Sequence, residues 1–150
     1  MRLTAFFAVC FFAAWLGSRF TRPSLVPWYA SLAKPSWTPP NWVFAPAWTV
    51  IFALMAIAGW QIWRGTGFQT IGMGLFALQL VLNVAWSWLF FGLKSPAAGM
   101  LDIVVLWLAI LATTIVFWRQ NHAAGWLFVP YLGWVTYAAA LNFAIWRMNA

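Results

Sequence analysis

The sequence predicts an all-α integral membrane protein, a bundle of five transmembrane helices with a long first loop rich in Trp and Pro. Of its 150 residues, 65% are hydrophobic and 6% are charged, well beyond the roughly half-apolar, quarter-charged average of soluble domains. The apolar residues fall into five blocks with the charges between them, and blocks of about 20 residues are the length that crosses hydrocarbon as helix. No period-2 alternation persists, which disfavours a barrel of short strands, whereas helices satisfy every backbone group internally, as lipid demands.

The first block runs from Leu3 to Ser18 behind Arg2. A basic start before a short apolar run also describes a signal peptide. An anchor is the preferred reading, because Ala13, Ala14 and Gly17 permit close helix packing and Trp15 fits poorly beside a cleavage site. A long connection follows, Arg19 to Asn41, the only one able to carry a lid. Within the stretch Trp28 to Thr49, Pro35, Pro39, Pro40 and Pro46 argue against a regular helix across most of the segment. Trp28, Trp37, Trp42 and Trp48 are too apolar for a solvated loop, and their amphipathic rings suit a membrane interface or the mouth of a pocket. The remaining blocks are Trp42 to Trp63, Thr70 to Leu93, Ala97 to Trp118 and Ala123 to Trp146. They are separated by R-G-T-G at Arg64 to Gly67, K-S-P at Lys94 to Pro96 and R-Q-N-H at Arg119 to His122. Links this short make consecutive helices antiparallel neighbours in a single domain over residues 1–150.

Five spans put the termini on opposite sides. One side holds Arg2, Arg64 and Arg119; the other holds Arg19, Arg22, Lys34, Lys94 and Arg147. The positive-inside rule makes the second side cytoplasmic, and with it the first loop and the C-terminus. The net charge of +7 is spread around helix ends, where it meets anionic lipid headgroups, so no nucleic-acid partner is implied. Cys10 is alone and cannot form an internal disulfide or a thiolate metal site, and His122 has no second ligand. Asp102 is the single acidic side chain, which excludes two-carboxylate hydrolysis and carboxylate metal clusters. No nucleotide-binding glycine motif is present. No metal and no required cofactor are expected.

Polar residues inside the spans are few. Gln79, Asn83, Trp86, Ser87 and Phe90 share one face of the third helix. Tyr131, Trp134, Ala138 and either Leu141 or Asn142 share one of the fifth, and Trp48, Phe52 and Met55 one of the second. These faces are candidate pocket walls; alternatively, Gln79 and Asn83 hydrogen-bond between helices. Asp102, near the start of the fourth helix, is expected to form an ion pair with Lys34, Lys94 or Arg147.

Several motifs then come together: W-Y-x-x-L-x-K-P-x-W-x-P-P from Trp28 to Pro40, W-V-F-x-x-A-W-T through Thr49, N-x-x-W-S at Asn83 to Ser87, F-F-G at Phe90 to Gly92, V-P-Y-x-x-W at Val129 to Trp134, and L-N-F-x-x-W-R-x-N at Leu141 to Asn149. In this order they resemble the TspO/MBR family, the tryptophan-rich sensory proteins of bacteria and the mitochondrial translocator protein, or peripheral benzodiazepine receptor. The resemblance covers nearly the whole chain. It implies a five-helix protein of a bacterial cytoplasmic membrane, or of an outer membrane, often a homodimer, with an intramembrane pocket for porphyrins such as protoporphyrin IX and for benzodiazepine-type ligands. Carried over by motif, its ligand-binding residues are Tyr29, Trp37, Pro39, Trp48, Asn83, Trp86, Trp134 and Ala138. The sterol-recognition pattern of animal relatives requires a tyrosine where Phe143 stands before Arg147, so sterol binding is not expected.

Two function classes follow. One is a porphyrin-binding sensor or transporter; the other is a light- or oxygen-dependent porphyrin-degrading enzyme in which Trp48 and Trp134 are the reacting side chains. A scaffold that only assembles partners is a third. The first loop is expected to act as a lid or a docked plug, with Trp37 and Trp42 over the opening and Lys34 facing a ligand carboxylate or Asp102. Small residues, Ala13 and Gly17 on the first helix and Gly74 and Ala77 on the third, are expected to support a homodimer.

Overall fold

In the computed structural model, which describes residues 2–150, five helices are long and apolar enough to cross a membrane. They are α1 (Leu3–Ser24), α2 (Asn41–Thr66), α3 (Ile71–Ser87), α4 (Pro96–Gln120) and α5 (His122–Met148). Neighbouring contacts close a ring in the order α1, α2, α5, α4, α3, so α2 and α3, expected from their short link to be neighbours, are separated by α1, against which both pack. The termini and the alternating connections put the first loop, the α3–α4 turn and the C-terminus at one end of the bundle, called here the loop end.

The helix starts follow local chemistry. Thr70 accepts from the Met73 amide at 3.2 Å, Ser95 from Ala98 at 3.2 Å, and Asn121 from Ala123 and Ala124 at 2.9 and 3.3 Å. Each side chain satisfies an amide that lacks a partner in the first turn. Pro96 occupies the first turn of α4, where a missing N–H costs nothing.

Three prolines lie within helix interiors. Pro23 lies inside α1, Pro46 inside α2 and Pro130 inside α5. Each removes one ladder bond, and packed neighbours in a membrane bundle tolerate that loss. The helical path therefore continues past Arg19 and Arg22; after an extended kink at Val26 (φ −133°, ψ 132°) it closes in a wide turn, Leu25–Tyr29. The first connection shrinks accordingly to a short strap between Tyr29 and Asn41. His122, assigned to a connection from sequence, is the first residue of α5, its ring 5.1 Å from that of Trp118.

The third apolar block is not a uniform helix either. After Ser87 it widens into a π-turn, Trp88–Gly92. The adjacent Phe90 and Phe91 are both buried there, 4.8 Å apart edge to face. Ser24 donates to the Phe91 carbonyl at 2.7 Å, tying the end of α1 to this turn.

The core lies at the centre of the ring, around Phe76, Ile110, Phe117 and Phe128. Tyr131 is buried within it as a polar hub. Its hydroxyl accepts from Asn83 Nδ2 at 2.7 Å and donates to Gln79 Oε1 at 2.8 Å, and Gln79 Nε2 donates to the Phe76 carbonyl and to Met55 Sδ at 2.9 and 3.3 Å. Gln79 and Asn83 thus do join helices.

The expected ion pair of Asp102 is absent among the described residues. Asp102 is buried, and its Oδ2 has no hydrogen-bond partner. Lys34 instead folds back on its own chain, donating to the carbonyls of Tyr29, Leu32 and Ala30 at 2.7, 3.0 and 3.4 Å. Three unsatisfied carbonyls at the end of the wide turn are nearer to the ammonium in sequence than any acid.

Candidate functional site

A cavity of about 490 Å³ occupies the loop-end half of the bundle. Its walls come from the second half of α1, the first half of α2, the end of α3 with its π-turn, and the second half of α5; α4 contributes nothing. The lining is mostly apolar and aromatic, with Asn83, Ser87 and Asn142 as inner polar groups. That combination of apolar walls and a few fixed polar groups suits a flat, largely apolar ligand.

Six of the eight residues carried over by motif meet here: Tyr29, Trp48, Asn83, Trp86, Trp134 and Ala138 all line the cavity. Helical spacing explains the meeting. Asn83, Trp86, Ser87 and Phe90 recur at three- and four-residue steps, as do Trp134, Ala138, Leu141, Asn142 and Ile145. Trp48 meets Trp134 edge to face, with centroids 6.3 Å apart and planes at 87°. Trp86 stacks on Phe90 at 5.1 Å and 25°.

The polar groups are already engaged, which fixes the walls. Trp86 Nε1 donates to Asn142 Oδ1 at 2.9 Å, and Asn142 Nδ2 donates to the Pro96 carbonyl at 2.8 Å. Asn142 therefore locks the indole plane of Trp86 and fastens α5 to the start of α4. The Tyr131 hydroxyl holds Asn83 in the same way from behind. Tyr131, Gln79 and Met55, placed on the pocket faces by periodicity, belong to the core behind the cavity and do not line it.

Trp37 and Pro39 do not line the cavity. Trp37 is 46% exposed and packs against Tyr137 at 5.7 Å, and Trp42 is 75% exposed, so neither ring covers the opening. The strap is short, and its two ties hold it against the outer side of α5. The Asn149 side chain pairs with the backbone of Ala33, accepting from its N–H at 3.0 Å and donating to its carbonyl at 2.8 Å; Tyr137 donates to the Trp37 carbonyl at 2.6 Å. Removing both ties, three hydrogen bonds in all, with Asn149→Ala and Tyr137→Phe should raise amide exchange across residues 33–38 by about a hundredfold, at roughly 1 kcal/mol per bond. Exchange in α4 serves as the internal reference, and unchanged strap protection would show that the ties do not hold it.

Sequence reasoning missed several lining residues. Phe44 lies one turn before Trp48, and its ring meets Trp134 at 6.1 Å; the four-residue spacing was available as a signal. Phe91 follows Ser87 by four residues, and Arg22 follows Ser18 by four on an α1 that runs beyond the apolar block ending at Ser18. The same four-residue spacing was available for both.

Known proteins are similar to this chain over nearly its whole length. Residues 6–147 match the TspO/MBR family. The chain is 44% identical over 145 residues to "Tryptophan-rich protein TspO" of Chlorobaculum tepidum, covering 94% of this chain and 91% of that protein. It is 42% identical over 156 residues to "Protein CrtK" of Rhodobacter capsulatus, covering 99% and 95%. Against the human "Translocator protein" it is 36% identical over 138 residues, covering 89% and 82%. With a matching family over nearly its whole length and five membrane-spanning helices, this chain is a multi-pass integral membrane protein of the TspO/MBR family.

Proposed function

We propose that this protein binds a tetrapyrrole of the protoporphyrin IX type in the loop-end cavity and acts as a membrane sensor or transporter. The observation that carries the reading is the cavity wall itself. Trp48, Trp86 and Trp134 offer indole faces and edges around about 490 Å³, and a porphyrin is a broad apolar disc with polar groups at its rim. Asn83, already oriented by Tyr131, is available to that rim through its carbonyl oxygen. The printed names of the relatives, sensory and translocator proteins among them, agree with a role in sensing or moving a ligand. Benzodiazepine-type compounds, which are also largely apolar and rich in aromatic rings, are a second ligand class for the same walls. Titration of protoporphyrin IX in the dark, followed by its absorption band, tests the reading: a shifted, saturable and stable band supports it, and an unshifted band contradicts it.

One observation favours a second reading, a light- or oxygen-dependent porphyrin-degrading enzyme. Trp48 and Trp134 are adjacent in the cavity, and indoles are readily oxidised. Loss of the porphyrin band under illumination, with a new product that Trp48→Phe or Trp134→Phe suppresses, separates this activity from binding alone.

The charge distribution supports an orientation with the loop end on the cytoplasmic side, since Arg19, Arg22, Lys34, Lys94 and Arg147 lie there, and the family supports a bacterial cytoplasmic membrane, with an outer membrane as the alternative. A homodimer through α3 is also proposed. Of the small residues expected to serve it, Gly17 is used inside the bundle, where an added Cβ would stand 3.2 Å from Ser87 Oγ, and Ala13 is buried. Gly74 has nothing within 4 Å, and Ala77, Leu78 and Val81 share its exposed side. A smooth outer stripe of this kind lets a second copy approach closely. Gly74→Trp should shift mass in mild detergent from dimer to monomer, and a wild-type chain that is monomeric at every concentration would contradict the dimer.

A further inference from the structure

The cavity opens sideways. Its exposed lining residues are Trp15 and Arg22 on α1 and Asn41, Ala45 and Thr49 on α2, whereas every lining residue from α3, its π-turn and α5 is buried or half-buried. The mouth therefore lies between the loop-end halves of α1 and α2, on the flank of the bundle that faces the bilayer. It runs from the interface level of Arg22 and Asn41 toward the hydrocarbon level of Ala45 and Thr49.

We infer that Arg22 recognises a carboxylate of a ligand entering through this lateral mouth, and so selects acidic over neutral tetrapyrroles; the inference rests on the tetrapyrrole-binding reading. Arg22 is the only charged residue of the lining. The single acid of the chain, Asp102, is on α4, which supplies no wall, so no protein carboxylate in the cavity neutralises it. The other cations nearby have different surroundings: Arg19 stands 5.9 Å over the Trp15 ring, and Lys34 donates to three backbone carbonyls.

An anionic group carried into apolar walls loses its hydration at high cost unless it is paired. A guanidinium at the rim meets a carboxylate with two parallel hydrogen bonds while both groups keep contact with interfacial water. The apolar disc can then lie between the indoles while its acidic edge stays at the mouth. Arg22 would thus fix which way round the ligand sits. An anionic lipid headgroup offers the same chemistry, so the test is made in neutral detergent, where no such headgroup competes.

Tryptophan quenching by protoporphyrin IX and by its dimethyl ester should be titrated against the wild type, Arg22→Gln, Arg22→Lys and Arg19→Gln in dodecyl maltoside. Comparing each ligand with itself across variants cancels its partition into detergent. Arg22→Gln is expected to weaken the diacid about tenfold, the size of a lost charged hydrogen bond, and to leave the diester unchanged. Arg22→Lys, which keeps the charge but not the two parallel hydrogen bonds, should recover only part of the loss, and Arg19→Gln should change little. The unchanged diester certifies the fold. Unaltered diacid affinity in Arg22→Gln, or equal losses for both ligands, would overturn the role of Arg22 while leaving the tetrapyrrole reading in place. A wild type that binds neither compound overturns both.

Discussion

Trp134→Ala should weaken protoporphyrin IX binding by more than tenfold, about 1.4 kcal/mol or greater, with the helical bundle still assembled. The Trp134 ring is half-buried and touches Trp48 at 6.3 Å, Phe44 at 6.1 Å and Tyr137 at 5.9 Å. It faces two spaces. On one side is the cavity; on the other is a shallow apolar groove on the outer surface, formed by Pro46, Ala47 and Val50 of α2 with Pro130 and Gly133 of α5. Truncation removes a stacking face and also opens the wall between the two spaces, so lipid or detergent can enter where the ligand should lie. Trp48→Ala removes the opposing indole and should lose affinity to a similar degree. Quenching titrations check both, and unchanged affinity in both variants, with intact far-ultraviolet circular dichroism, would contradict a shared pocket.

The largest stability effect is expected at Gly125. There α5 turns back against α4 after a single linking residue, Asn121, and an added Cβ would lie 2.7 Å from Trp118 Cα and 2.8 Å from its Cβ. The clash is with backbone, which cannot swing aside as a side-chain tip can. Gly125→Ala gains up to about 1 kcal/mol of helix propensity, but forcing α4 and α5 apart typically costs about 1–3 kcal/mol, occasionally more. Gly125→Val should exceed that and lower the thermal midpoint in detergent by many degrees. Gly133→Ala, on the same helix with nothing within 4 Å, takes the propensity gain without the clash and should be neutral or stabilising. Equal midpoints for the Gly125 and Gly133 variants would show that the tight α4–α5 approach does not support the bundle.

The parts legible in sequence were those governed by local composition. Apolar blocks of span length located all five helices, because lipid leaves the backbone no other economical state. Helical periodicity placed Asn83 with Trp86, and Trp134 with Ala138, on inward faces, since the three- and four-residue spacings survive into the folded helix. What failed depended on tertiary compensation. The apolar run of the first block stops at Ser18, before Arg19 and Arg22, yet α1 continues to Ser24 because packing absorbs the bond that Pro23 lacks, and the helix thereby carries Arg22 to the cavity. Trp37 and Pro39 sit in a motif with Tyr29, yet the strap bends outward to Tyr137 and Asn149, which are distant in sequence. The partner choice of Lys34 is likewise invisible to charge counting, because three nearby carbonyls compete with the acid.

The aromatic cavity at the loop end is proposed as a tetrapyrrole site. Its most direct measurement is the absorption spectrum of purified protein with protoporphyrin IX, recorded in the dark across a titration and repeated with the Trp48→Ala, Trp134→Ala double variant. A saturable shift of the porphyrin band at one ligand per chain, lost in the double variant, is the predicted result. A wild-type spectrum equal to that of porphyrin in detergent alone, or a shift that persists undiminished in a folded double variant, would contradict it.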